Sequence, residues 1–370
     1  MTTPPHVLAL RRIAFQIRAL TTGQAPHARF SSADDAPPDL PPALAYDKRS
    51  RPTLVGAVEA ERAVRVRRGV YVAVDHDLRP FDADFLAQVR GVVEALDVEC
   101  WLSHTTAARL HGLWTYRDPG LVHITQTYNP PVRHEGRLRR HWSRALPDSH
   151  RTVLGGVPVS SLERTIVDVA CTASLPCAVV AATAGFRRGA SPVVVEEILE
   201  SRARGRGVVQ ARKVMVLCDP DCASPGEVLV RLAAIMAGLP EPEVQVPVRL
   251  PGATAWLDVG WPAIRAGLEF DGEVKFSGEL GDPVAARARQ AERAAGVERA
   301  GWRVGSVVWD ETVEFQDLVD RVGDFYRRAA AGAPEPLRRP HSSPSETGRQ
   351  KEPAGHGSAG SFRSRTRPVS

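Results

Sequence analysis

The sequence predicts a multi-domain protein of the α/β class. Its 370 residues exceed the usual span of one domain. Hydrophobic residues at 43% and charged residues at 25% match a globular composition, which excludes collagen-like, coiled-coil and wholly disordered chains. From about residue 54 to residue 330, segments with a two-residue apolar period alternate with segments of helical period.

Residues 1–53 are expected to be largely disordered. Pro4, Pro5, Pro26, Pro37, Pro38, Pro41 and Pro42 interrupt any long element. Arg11, Arg12, Arg18 and Arg29 all precede the first acidic residue, Asp34, a composition similar to an organellar transit peptide. A disordered tail is the simpler reading.

Residues 54–80 read as a wing-like unit. LVGAVEAERA closes a helix, and VRVRRGVYVAV then alternates apolar Val64, Val66, Val70 and Val72 with basic residues around Gly69. A basic hairpin after a helix has the form of the wing of a winged helix. Arg62, Arg65, Arg67 and Arg68 would then be its DNA-contacting residues. An ordinary amphipathic hairpin with a solvated basic face has the same pattern.

Residues 81–214 read as a mixed α/β domain. Phe85, Val89, Val92, Val93 and Leu96 have helical spacing, and Ser103 caps a short helix, TTAARLHG, that Gly112 stops. LVHIT and the stretch around His141 and Trp142 read as strands. The basic run 133–144 is either a solvated hairpin or a phosphate-contacting edge. GVPVSSLERTIVDVACTA is a strand entering a helix, with Ser160 and Glu163 spaced as a capping box. Two further helices span 176–217, separated by the SRARGRG loop.

Residues 215–330 start a new unit. SPGEVLVRLAAIMAGL has a capping serine, a first-turn proline and a closing glycine. EVQVPVRL, TAWLDVGW and IRAGLEFDGEVKF read as strands. A helix over 284–300, the strand WRVGSVVW and a helix over 315–330 follow. Residues 331–370 are rich in Pro, Ser, Arg and Gly and read as a disordered tail.

The formal charge of +5 divides unevenly. Residues 334–370 carry +4, residues 1–50 carry +2, and the part between carries −1. Net charge is therefore no argument for a nucleic-acid partner; only local patches are. Four of the 48 basic residues are lysine, which G+C-rich coding DNA explains most simply. Five cysteines at irregular spacing argue for a reducing, cytoplasmic setting. No apolar run reaches eighteen residues, so no membrane span is expected. No P-loop, dinucleotide fingerprint, zinc knuckle or nucleophile elbow is present. His104 and His111 read as packing or capping groups.

The chemistry-bearing constellation lies in the last unit. By the strand period, Leu257, Val259 and Trp261 share one face and Asp258 the other. Likewise Leu268 and Phe270 oppose Glu269 and Asp271. A hairpin between these strands sets Asp258 beside Glu269. Carboxylates crowded on one face repel unless a cation intervenes, and all-oxygen ligation suits Mg²⁺ or Mn²⁺. The plain alternative is a solvated face of a half-buried sheet. Glu227 has two readings as well, a capping partner of Ser224 or a third acidic group.

The ordered blocks SPGEVLVRL, AWLDVGWP, AGLEFDGEVKF and RAGWRVGSVVW resemble a module of many actinobacterial proteins. That module is domain-of-unknown-function family 559, related to the very-short-patch-repair endonucleases of the PD-(D/E)xK superfamily. The resemblance covers about 215–328. It implies a restriction-endonuclease-like fold, Asp258 and Glu269 as metal ligands, and Glu227 completing an acidic catalytic site. Asp271 stands where the superfamily usually has its lysine, and Lys275 near where relatives carry His or Lys. Gln290 and Ala291 stand where relatives carry Glu and Lys, with Glu292 and Arg293 offset. Upstream, VRVRRGVYVA, LSHTTAARLHGL, VHIT and GVPVSSLERTIVDVA resemble AbiEi-type antitoxins of type IV toxin–antitoxin systems over about 54–185. That resemblance implies a transcriptional regulator with a DNA-binding winged helix and a nucleotidyltransferase-like toxin as partner.

Two functions follow as expectations. One is Mg²⁺-dependent hydrolysis of DNA phosphodiesters at Glu227, Asp258, Glu269, Asp271 and Lys275. The other is an antitoxin-like regulator that binds DNA with a catalytically degenerate nuclease-fold module.

Overall fold

The computed structural model describes residues 3–21, 40–44, 49–67, 69–74, 80–96, 98–131, 134–271 and 283–332. They hold eleven α-helices and three sheets, a multi-domain α/β architecture as expected. All belong to one compact unit. None of their helices is long and apolar enough to cross a membrane.

The first departure from expectation is helix α1 (Pro5–Thr21), inside the stretch read as disordered. Pro4 and Pro5 start this helix rather than break it, because the first turn needs no N–H from them. His6, Ala9, Leu10 and Ile13 form a buried stripe at helical spacing. Arg12 donates to the Cys218 carbonyl, and Gln16 donates to Asp219 and Asp221 at 2.9 Å each. Ile13→Ala is expected to cost about 2–4 kcal/mol, the usual penalty for an emptied aliphatic core site. Urea unfolding checks this, because the same change in a disordered tail would leave the midpoint unmoved.

The wing-like hairpin is present. Strand β1 (Ala43–Leu44) precedes helix α2 (Arg51–Glu59), and β2 (Ala63–Arg67) pairs with β3 (Val70–Ala73) in a sheet of order β1-β3-β2. A register shift between Arg65 and Arg67 bulges the ribbon. Helix α3 (Pro80–Ala95) covers it. Gly91 makes this approach possible, since a Cβ there would stand 2.3 Å from Val66.

The middle sheet has six strands: β4 (Trp101–Leu102), β5 (Val122–Gln126), β6 (His134–Glu135), β7 (Leu138–Trp142), β8 (Arg151–Leu154) and β9 (Val157–Ser160). Their order is β6-β7-β5-β4-β9-β8, with β5/β7 and β4/β9 parallel. Helix α4 (His104–Leu110) follows β4, and α5 (Leu162–Thr172) follows β9. The cap of α5 is Ser161, not Ser160. Ser160 instead faces Thr165 at 2.8 Å, and Glu163 accepts the Ser191 N–H. The stretch read as two helices forms three: α6 (Leu175–Arg187), α7 (Pro192–Ser201) and α8 (Val208–Leu217). Ser191 caps α7 with Pro192 in its first turn, a start signal inside an apolar run.

Helix α9 (Pro225–Met236) leads into β10 (Glu243–Leu250), β11 (Ala253–Trp261) and β12 (Ala266–Asp271), an antiparallel meander. Helix α10 (Pro283–Arg299) returns the chain to β13 (Arg303–Val308), parallel to β12, and α11 (Phe315–Ala331) closes the unit. One core cluster joins Ile13 of α1, helices α5 to α9, strands β11 to β13, and Leu318 and Val322 of α11. The middle and C-terminal units therefore share a core, and packing does not stop at the 214/215 boundary read from the sequence.

Candidate functional site

The acidic site starts at the first turn of α9. Ser224 accepts the Glu227 N–H, as a cap should. The Glu227 carboxylate does not complete a capping box. It accepts the Ala223 N–H at 2.7 Å and the Gln245 side chain at 2.8 Å. Gly226 lets the helix press onto β12, since a Cβ there would stand 2.2 Å from the Phe270 ring. Glu227 is thereby buried above the sheet, 4% exposed.

Asp258 and Glu269 follow from the hairpin register. Val259 pairs with Leu268, so Asp258 and Glu269 take the next opposed position. The pairing goes no further, and Asp258 accepts the Phe270 N–H at 2.7 Å instead. The carboxylate replaces a missing ladder acceptor. On the other side Gln245, at φ +51°, has no ladder partner at Asp258.

The simple alternation read from the sequence breaks at this point. Val259 and Trp261 pack toward α9 and α11, whereas Leu257 packs with Val246, Val248 and Val297 of α10. The strand turns over at Asp258, so Leu257 does not share the face of Val259.

The electrostatics are those of crowded acids. Burial, and then the charge of Asp258, raise the Glu227 pKa to about 7. Glu269 receives Arg293 of α10 at 2.7 Å, and the same guanidinium donates to the Trp256 carbonyl at 3.1 Å. Arg293 thus stands on the acidic face despite its offset in sequence. Asp271 is half-buried at the end of β12. Lys275 lies outside the described residues, as does Arg68. In the hairpin, Arg62 and Arg65 are exposed and Arg67 belongs to β2.

A second polar centre lies on the middle sheet, and the sequence reading missed it. His104, His123 and His141 bring one ring nitrogen each within 4.8 Å of the others. Among the described residues, no other three His, Cys, Asp or Glu side chains meet that closeness, and the acidic site does not. Beside this group, Asp168 binds Arg164 at 2.9 Å and Arg202 at 2.5 Å. Burial pushes the Asp168 pKa up, but Arg164, His104 and Arg202 outweigh it and hold the group at about 2. A cavity of about 610 Å³ opens alongside, lined by His104, His141, Arg140, Arg164, Arg202 and Arg206 among others. The only sequence signal was three histidines on or beside predicted strands.

Two uncharacterized proteins of Mycobacterium tuberculosis, from strains CDC 1551 / Oshkosh and ATCC 25618 / H37Rv, are similar to this chain. Each is 29% identical over 264 residues, 67% of this chain and 86% of the relative. No family model matches the chain, and no solved structure matches it.

Proposed function

We propose that this protein acts on DNA, with candidate Mg²⁺-dependent phosphodiester hydrolysis in its C-terminal unit. The observation that carries this reading is the charge interaction of Glu227 with Asp258 at the point where the β11–β12 pairing stops. Burial and the neighbouring Asp258 charge together raise the proton affinity of Glu227, and a divalent cation relieves such crowding. The donor set is all oxygen, which fits Mg²⁺, with Mn²⁺ as substitute. The order of α9, three-stranded meander, α10 and parallel β13 supports the endonuclease-like resemblance.

In this reading Asp258 and Glu269 would hold the cation, with Glu227 completing the acidic site. Bound there, Mg²⁺ would supply polarisation of the phosphate and a water of lowered pKa. Asp258 is oriented by the Phe270 N–H, and Glu227 by Ala223 and Gln245. Arg62 and Arg65 offer exposed cations to the DNA backbone. The five cysteines are all free, which supports a cytoplasmic location.

Arg293 favours the second reading, a regulator of AbiEi type with a degenerate module and a toxin partner. Its guanidinium neutralises Glu269, a carboxylate the cation needs.

Plasmid nicking by the full chain, with and without Mg²⁺ or Mn²⁺, separates the two. Nicking that requires the metal and falls at least about 10²-fold in Asp258→Asn is expected; removing a group that stabilises transition-state charge has that order of effect. Asparagine keeps an oxygen for the Phe270 N–H, so the fold should hold. Wild-type protein that binds DNA tightly and salt-sensitively, yet never nicks it, is the regulator's result.

A further inference from the structure

The histidine centre is built from three separate segments. His104 opens α4, immediately after β4, while His123 and His141 lie on β5 and β7. These two strands run parallel, with Thr125 opposite His141 and His123 opposite Arg139. The two-residue period therefore sets His123 and His141 diagonally on one sheet face. The ring of His104 lies 3.5 Å from that of His141 by centroids, and His123 Nδ1 stands 2.9 Å from His141 Nε2.

Several features point to a ligand rather than to packing. His104 has φ +53°, a left-handed conformation rare for a residue with a Cβ and concentrated at functional sites. Its Nδ1 faces the Ser103 hydroxyl at 2.9 Å, which in turn receives the Thr125 hydroxyl at 2.9 Å. Ser103 is fully buried and Thr125 is 2% exposed, so this chain fixes the ring from behind. With Nδ1 so engaged, Nε2 is the His104 nitrogen that an ion would take. Metal-binding histidines are oriented in this way through the nitrogen that does not ligate.

We infer that His104, His123 and His141 form a binding site for a transition-metal ion of the Zn²⁺ class. Three imidazoles with no carboxylate among them suit Zn²⁺ or Co²⁺ and disfavour Mg²⁺ and Ca²⁺, which take oxygen ligands. Nitrogens at about 2.0–2.1 Å from a tetrahedral ion stand about 3.3 Å apart. The mutual spacing of the three, within 4.8 Å, encloses that value. The rings are stacked, 13–29° from parallel, so ligation requires them to rotate about their side-chain torsions until the in-plane lone pairs meet. Three protein ligands leave a fourth position open, the arrangement of reactive rather than purely structural zinc sites. His104 and His141 both line the 610 Å³ cavity, which gives that position access to solvent and to small ligands. The site is on a different sheet from the acidic site and does not depend on the DNA-acting reading.

The test uses the full chain, stripped with a chelator and titrated with Co²⁺, then with Zn²⁺ in competition. One equivalent of Co²⁺ should bind with the intense visible absorption of low coordination number, and Zn²⁺ should displace it. Native mass spectrometry should count one Zn²⁺ per chain. His123→Gln and His141→Gln should each abolish the stoichiometric absorption while the metal-free melting curve persists. Ser103→Ala should weaken Zn²⁺ about 10–100-fold, as loss of an orienting partner does. The absorption should persist with Mg²⁺ in excess, which competes only at all-oxygen ligands and so separates this site from the acidic one. Wild-type protein that takes up no equivalent of either ion overturns the proposal. So does unchanged affinity in a folded His123→Gln or His141→Gln protein; where one variant fails to fold, the other decides.

Discussion

Asp168→Ala is expected to cost about 3–5 kcal/mol of stability, the penalty for breaking a buried ion pair from one side. Asp168 is 2% exposed and Arg164 is 3% exposed. Removal of the carboxylate strands the Arg164 guanidinium in the interior with Ser143 and His150 as polar neighbours. Arg202 loses its 2.5 Å partner as well. The pH dependence has a definite sign. The carboxyl is depressed from 3.8 to about 2, so its stabilisation is present above the unfolded pKa and disappears as pH falls through about 2. A shift of that size corresponds to about 2 kcal/mol. Urea unfolding at pH 7 and pH 2.5 should therefore show a wide gap between wild type and variant that narrows in acid. A gap below about 1 kcal/mol at pH 7, the size of a surface pair, would mean that the network is solvated and not a buried clamp.

Glu227→Gln should move stability and activity in opposite directions. The Glu227 carboxyl is raised from 4.5 to about 7 by burial and by Asp258. A carboxyl raised on folding stabilises fully below its unfolded pKa, and that contribution is lost as pH rises through about 7. Wild type should thus lose about 3 kcal/mol from this group between pH 4.5 and pH 8. Glutamine has no charge to lose and keeps an oxygen for the Ala223 N–H. The variant should match wild type at pH 4.5 and exceed it by about 1–3 kcal/mol at pH 8. Mg²⁺ should raise the melting temperature of wild type more than that of the variant, and nicking should fall. A variant less stable than wild type at pH 8 by about 0.5–2 kcal/mol, with Mg²⁺ response and nicking intact, would return Glu227 to a capping role.

Much of the fold was legible because its signals are local. Ser224, Pro225 and Gly238 mark the limits of α9 without reference to any other segment. The alternation in AGLEFDG placed Leu268 and Phe270 inside and left Glu269 and Asp271 half-buried. The hairpin at VRVRRGVYVAV formed as expected, with a bulge between Arg65 and Arg67. Helix α1 was missed because proline counts as a breaker only when its position in the helix is ignored. The split between α6 and α7 was missed because the Ser-Pro start signal sits inside a continuous apolar run.

The candidate sites divide in the same way. By itself the sequence determined the acidic residue set, its strands and its place beside a capped helix, since each depends on spacing within one short segment. Only the tertiary structure decided that β11 turns over at Asp258, where the carboxylate accepts the Phe270 N–H from across the sheet. It alone decided that Arg293 reaches Glu269 from α10. It alone gathered His104, His123 and His141, which are 19 and 18 residues apart in sequence. No local period encodes that meeting: it follows from the parallel pairing of β5 with β7 and the placement of β4 beside β5, where non-local hydrogen bonds set which side chains become neighbours.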